Sequence, residues 1–124
     1  MLTPFIKTNI EVVNMKNHTS TLYDFYIGRP SSVGNPYSHN PESKLAKFIV
    51  PTRDEAIESY EKYMLDKIES GDEEFIGAID EMLEIYQDFG KLNLCCWCKP
   101  NNTCHGDYIK SYIESIILKK LISD

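Results

Sequence analysis

The hydrophobic positions of this chain follow two periods, and the switches between them outline its elements. Residues 11–14 form a short apolar stretch that reads as a first or edge strand. Residues 22–27, Leu-Tyr-Asp-Phe-Tyr-Ile, are rich in aromatic and β-branched side chains and predict a second strand. Residues 43–49 fit either a short helix or an extended piece, ended by Pro51. From residue 52 the period becomes helical. Thr52 is placed as an N-cap, with Glu55 three residues on to complete a capping box. Ala56, Ile57, Tyr60, Tyr63, Met64 and Ile68 then share one face. Ser70, Gly71 and Asp72 stop that helix. A second helix over about 73–89 would bury Phe75, Ile76, Ile79, Leu83 and Tyr86. The run 92–97 is compact and mostly apolar, and fits a strand covered on both faces. A last helix from Gly106 or Asp107 to about 121 would bury Ile109, Tyr112, Ile113, Ile116, Ile117 and Leu121.

Strands followed by helices, with a buried late strand, predict one small α/β domain over residues 1–124. It has three layers, with a mostly parallel sheet flanked by helices. Two helices between the strands at 22–27 and 92–97 fit a parallel pair joined by a right-handed crossover. No repeat or linker interrupts the 124 residues.

Composition narrows the function. The net charge of −6, from 13 basic and 19 acidic residues, argues against an extended nucleic-acid footprint. It leaves room for one nucleotide in a local basic pocket. No apolar run approaches the roughly 20 residues of a membrane span. The first residues, Met-Leu-Thr-Pro-Phe, lack the basic start of a signal peptide. A cytoplasmic protein is therefore expected, with no membrane partner; a homo-oligomer is left open. In that compartment the four cysteines read as thiols or metal ligands before disulfides. Cys95 and Cys96 are adjacent, so on a strand they face opposite sides.

The candidate chemistry sits in two loops at strand ends. Residues 28–37 hold two glycines, two prolines, two serines and an asparagine, which no regular element accommodates. Gly28 and Gly34 allow close approach of backbone to ligand. Arg29 offers a permanently charged fork suited to phosphate or carboxylate. Ser31 and Asn35 add a hydroxyl and an amide, and Tyr37 an aromatic face. The alternative is a structured turn whose Arg29 pairs with an acidic neighbour. The second loop, 98–107, leads into the last helix, where Gly106 would present backbone N–H groups to an anion. Asp107 is a helix cap or a catalytic carboxylate. His105 is an acid/base group or a buried ring held by a carbonyl. Cys104 is a nucleophile or a small buried hydrophobe. Trp97 would cover a bound ring.

No cofactor is required by this reading. If a zinc ion were held, its ligands would be Cys96, Cys98, Cys104 and His105, although the spacing departs from the common knuckles.

In open α/β sheets ligands bind outside the carboxyl ends of strands. The two loops then face each other across one crevice, lined by Gly28, Arg29, Ser31, Gly34, Asn35, Tyr37, Trp97, Cys98 and Gly106.

Three quoted segments resemble a known family. They are Tyr-Ile-Gly-Arg-Pro-Ser with Gly-Asn-Pro-Tyr (26–37), Thr-Arg-Asp-Glu-Ala (52–56), and Gly-Lys-Leu (90–92) with Cys-Trp-Cys-Lys-Pro and Cys-His-Gly-Asp (96–107). The family is domain-of-unknown-function family 4326, from bacteria and bacteriophages, and the resemblance covers roughly residues 22–118. The ending is distantly similar to a second uncharacterised family, number 488, which has no match to Cys98. The chain departs from the usual pattern in an acidic insert around 69–74 and in Cys95. The resemblance implies a Rossmann-like α/β domain and no particular reaction.

These readings converge on binding of a nucleotide or phosphorylated small molecule in the crevice. A bacteriophage origin, which the resemblance implies, would make sequestration of a host signalling nucleotide in the host cytoplasm one use. The alternatives are a nucleoside or nucleotide N-glycosidic hydrolase or transferase using Asp107, His105 and Cys104, and a zinc-stapled protein-interaction domain.

Overall fold

Five consecutive residues, Leu92 to Cys96, are all buried, and the sheet is assembled around them. The computed structural model describes residues 8–29, 31–38, 40–42, 44, 46–97 and 104–123. In chain order these form β1 (Ile10–Asn14), a 3-10 turn (Met15–Asn17), β2 (Asp24–Tyr26), β3 (Tyr37–Ser38) and β4 (Phe48–Ile49). They are followed by α1 (Arg53–Glu69), α2 (Glu73–Phe89), β5 (Leu92–Cys96) and α3 (His105–Ser123). The main sheet runs β1-β5-β2, with both pairings parallel. β3 and β4 form a separate parallel pair. The chain is a small α/β domain with a parallel sheet.

Register explains how β5 is buried on both sides. Ile10 pairs with Leu92, Val12 with Leu94 and Asn14 with Cys96. Phe25 pairs with Leu94, so one face of the sheet is an apolar strip. That strip joins Tyr60 and Met64 of α1, Phe75, Ile79 and Met82 of α2, and Ile109 and Ile113 of α3 in one core. The other face carries Asn93 and Cys95, because successive strand side chains alternate. There Asp24 pairs with Asn93 and Tyr26 with Cys95.

The helix boundaries have local causes. Thr52 Oγ1 accepts the Glu55 N–H at 3.1 Å, the cap expected from the sequence. Asp72 Oδ2 does the same for Phe75 N at 3.0 Å. Gly90, at φ 69°, ends α2 in the left-handed region that glycine enters without strain. The α2 face differs in part from expectation. Ala78 and Met82 are buried with Phe75 and Ile79, while Leu83 and Tyr86 are only partly covered. The buried face is set where α1 lies against this helix, with the Tyr63 ring 6.3 Å from that of Phe75. α3 begins at His105, slightly before the expected start. Trp97 lies past the end of β5 and is 62% exposed, so the buried run stops at Cys96. No helix among the described residues is long and apolar enough to cross a membrane. The side chain of Leu121 lies outside the described residues.

Candidate functional site

The loop after β2 is folded in on itself. Ser31 N donates to Gly28 O and Gly34 N to Ser31 O, both at 2.9 Å, giving two successive turns. A Cβ on Gly34 would stand 2.8 Å from Gly28 O and 3.1 Å from Arg29 Cα. Only glycine allows that approach of backbone to backbone. Arg29 reaches back to the main chain of its own loop. Its Nε donates to Asn35 O at 2.6 Å and its Nη2 to Tyr37 O at 2.7 Å, clipping the two ends of the loop together. The buried Asn35 side chain donates to Ala56 O at 2.9 Å and accepts from Tyr37 N at 3.0 Å. Tyr60 donates its hydroxyl to Val33 O at 2.6 Å. The loop is thus held to α1 from both sides of Gly34.

A cleft of about 290 Å³ opens between this loop and the α1–α2 corner. Arg29, Ser31, Gly34 and Asn35 line it, four of the residues expected from the sequence. Lys47, Lys67 and Tyr63 join them, and Asp72 and Glu74 stand on the far wall. Lys67 Nζ lies 3.6 Å from Asp72 Oδ1 and 5.6 Å from the centre of the Tyr63 ring. The Ser31 hydroxyl is buried and has no hydrogen-bond partner among the described residues. Lys47 arrives because its N–H and that of Phe48 both donate to Pro36 O, at 2.8 and 2.9 Å. No sequence signal marks Lys47, and Lys67 stands on a helix face whose pattern does not set it apart.

Tyr37 stacks on Phe48 at 5.1 Å between ring centres and does not line the cleft. Gly28 lies under the ring of Tyr26, whose hydroxyl donates to Arg29 O at 2.6 Å. Cys98 falls outside the described residues.

The residues expected from the second loop gather elsewhere, at the start of α3. Cys104 caps this helix: its Sγ accepts the Gly106 N–H at 3.4 Å. Asp107 Oδ2 accepts the Cys104 N–H at 3.1 Å, completing a reciprocal cap. The space beside Gly106 is filled. A Cβ there would lie 2.8 Å from Ile27 Cδ1 and 3.0 Å from Val12 Cγ1, and both neighbours sit in or against the core. Gly106→Ala is accordingly expected to destabilise the fold by about 1–3 kcal/mol through overpacking. Urea unfolding would measure it.

His105 is buried. Its Nε2 lies 2.7 Å from Ile27 O, an acceptor only, so Nε2 carries the proton. Nδ1 then faces Cys104 Sγ at 3.6 Å. Burial lowers the affinity of this ring for a second proton, against the raising effect of the Ile27 carbonyl. The imidazole is neutral at pH 7 and receives the Cys104 S–H. The Cys96 and Cys104 sulfurs lie 3.3 Å apart, a thiol contact rather than a covalent bond of about 2.05 Å.

A further group of donors was not marked in the sequence. On the back face of the sheet, His18, Asp24 and Cys95 bring their ligating atoms within 4.8 Å of one another. Asp24 and its partner Asn93 are 69 residues apart, so only the strand register reveals the grouping.

A small parallel α/β sheet with a cationic cleft after β2 and a cysteine–histidine helix cap after β5 defines the kind of protein this is. The chain belongs to the family described as a domain of unknown function (DUF4326), whose model it matches over residues 10–115. That span starts at the first residue of β1 and takes in the whole sheet, both loops and most of α3. No curated protein and no solved structure matches the chain.

Proposed function

We propose that the cleft between residues 28–36 and the α1–α2 corner binds a phosphorylated small molecule of the nucleotide class. The observation that carries this reading is the buried, unpartnered Ser31 hydroxyl in a cleft flanked by Arg29, Lys47 and Lys67. Buried polar groups nearly always have a partner, and an orphan marks a place for one. Three cations against two carboxylates, with Lys67 paired to Asp72, leave this cleft slightly positive in a chain of net charge −6. The Arg29 fork is fixed in advance by two main-chain bonds, which lowers the entropy lost on binding. Asp72 and Glu74 on the opposite wall suit sugar hydroxyls, and Tyr63 offers an apolar face.

The capping bonds of Asp107 and the enclosed ring of His105 favour binding over N-glycosidic chemistry at the second loop. In a phage-borne protein, retention of a host nucleotide would follow from such a site.

Calorimetric titration with nucleoside mono- and triphosphates, cyclic nucleotides and inorganic phosphate tests the proposal. Ser31→Ala removes a hydroxyl that has no partner among the described residues, so unfolding free energy should stay level or rise by up to about 1 kcal/mol. The same change, and Lys67→Ala, should weaken nucleotide binding roughly tenfold or more, since a hydrogen bond to a charged group contributes about 1.5–3 kcal/mol. Absence of heat and of thermal shift across the panel, or binding indifferent to both substitutions, would overturn it.

A further inference from the structure

The cleft and the α3 cap leave one chemically armed region without a role: the sheet face turned away from the helices. Three unlike donors meet there. His18 follows the 3-10 turn, Asp24 opens β2, and Cys95 lies on the neighbouring β5. We propose that His18 Nε2, the Asp24 carboxylate and Cys95 Sγ bind a divalent transition-metal ion of the zinc class. This site is independent of the cleft.

Geometry comes first. The three donor atoms lie within 4.8 Å of one another. Tetrahedral ligands about 2.0–2.3 Å from one ion stand roughly 3.3–3.8 Å apart, so the widest pair must close by about 1 Å, within the reach of side-chain rotation. His18 Nε2 stands 3.0 Å from both Asp24 oxygens, at the mouth of the carboxylate where an ion would sit. The ionised carboxylate accepts only, so this nitrogen now carries a proton that the ion would replace.

The surroundings are those of a ligating carboxylate. Asp24 Oδ2 accepts from Thr21 N at 3.0 Å. Asp24 Oδ1 accepts from Thr21 Oγ1 at 2.6 Å and from Asn93 Nδ2 at 3.0 Å. Those bonds do not involve His18, so the carboxylate stays oriented when the histidine turns its lone pair to a metal. Such outer bonds fix first-shell ligands and typically govern affinity by 10–100-fold.

Charge and donor type select the ion. One carboxylate and one thiolate neutralise a dication, which a mostly buried site requires. Both His18 and Asp24 are 18% exposed at the side chain, leaving a route in. Nitrogen, oxygen and sulfur together suit zinc or cobalt; magnesium and calcium prefer oxygen alone. Three protein ligands leave a fourth position for water or an outside donor. The proton balance is explicit. Metal entry releases the Cys95 thiol proton to solvent, while the His18 ring exchanges its Nε2 proton for one on Nδ1 and ligates as the neutral imidazole.

Cobalt(II) is the probe, titrated into the full chain and followed by its thiolate charge-transfer absorption. Wild-type protein should bind one equivalent with that band, and zinc but not magnesium should displace it. Cys95→Ser should abolish the band, and His18→Gln should weaken binding at least tenfold. Cys104→Ser should keep both, because Cys96 and Cys104 lie on the opposite side of the sheet. Asn93→Ala, which alters no ligand, should weaken binding about tenfold or more. Circular dichroism of each metal-free variant verifies its fold. No saturable binding by wild type, or a band that survives Cys95→Ser or vanishes in Cys104→Ser, would overturn the proposal.

Discussion

Tyr60→Ala is expected to lower the unfolding free energy by about 3–5 kcal/mol, a large share of the roughly 5–15 kcal/mol typical of a domain. Tyr60 is fully buried. Its ring meets Tyr63 at 5.8 Å and the edge of His105 at 4.9 Å. Its hydroxyl donates to Val33 O. One side chain therefore joins α1, the loop after β2 and the start of α3. Truncation leaves a hole in the core and a buried carbonyl without its donor. Tyr60→Phe separates the two effects: it keeps the packing and loses only the hydrogen bond, at about 1–2 kcal/mol. Chemical denaturation of both variants gives the comparison. An alanine loss below about 2 kcal/mol would mean that the neighbours collapse into the hole. Because Val33 precedes Gly34, the phenylalanine variant should also loosen the cleft and weaken nucleotide affinity there.

The second large effect is on the acid side of the stability curve. Burial pushes the Asp24 carboxyl up. Hydrogen bonds from the Thr21 hydroxyl, Asn93, the Thr21 N–H and His18 outweigh that and hold it well below the usual carboxylate range. A depressed carboxylate contributes stability that is fully present above the unfolded value of about 3.9 and is lost as pH falls below it. His105 acts earlier. Burial keeps its ring neutral in the folded state, so below about pH 6.5 the unfolded chain takes up a proton that the folded chain refuses. Stability should therefore fall in two stages, from about pH 6.5 and again from about pH 4. Asp24→Asn should cost about 2–4 kcal/mol at pH 7, because its amide turns donors toward the Thr21 N–H. It should also remove the lower stage, while His105→Gln removes the upper. Unfolding measured from pH 3 to 8 decides this; an unchanged slope below pH 4 in Asp24→Asn would refute the role given to that carboxylate.

Much of the architecture was readable in the residues. Thr52 announced its helix, because a hydroxyl before an acidic first turn has few other uses. The compact run at 92–96, apolar but for Asn93, fits a strand covered on both sides, and all five residues are buried. Gly34, Ser31, Asn35 and Arg29 of the first loop do line one cleft, while Gly28 packs under Tyr26. What stayed hidden was direction. Periodicity says which face of a helix is apolar, but contact with its neighbour, Tyr63 against Phe75, sets which residues of α2 turn inward. A guanidinium beside two prolines and two serines reads the same whether it reaches outward or back to Asn35 O and Tyr37 O. Lys47 reaches the cleft through backbone bonds to Pro36, which no side-chain pattern encodes. The back-face donors depend on a register that pairs Asp24 with Asn93.

The order β1-β5-β2 also governs when the sheet can exist. β1 and β2 do not pair with each other; each waits for β5, which is synthesised long after both. On the ribosome, the first two strands emerge with unsatisfied edges while α1 and α2 are still being made. Those helices make local contacts and can pair first. Emergence of β5 then closes three distant segments in one step. The chain commits to its fold late, and its early strands are the stretch that a nascent-chain chaperone would have to shield.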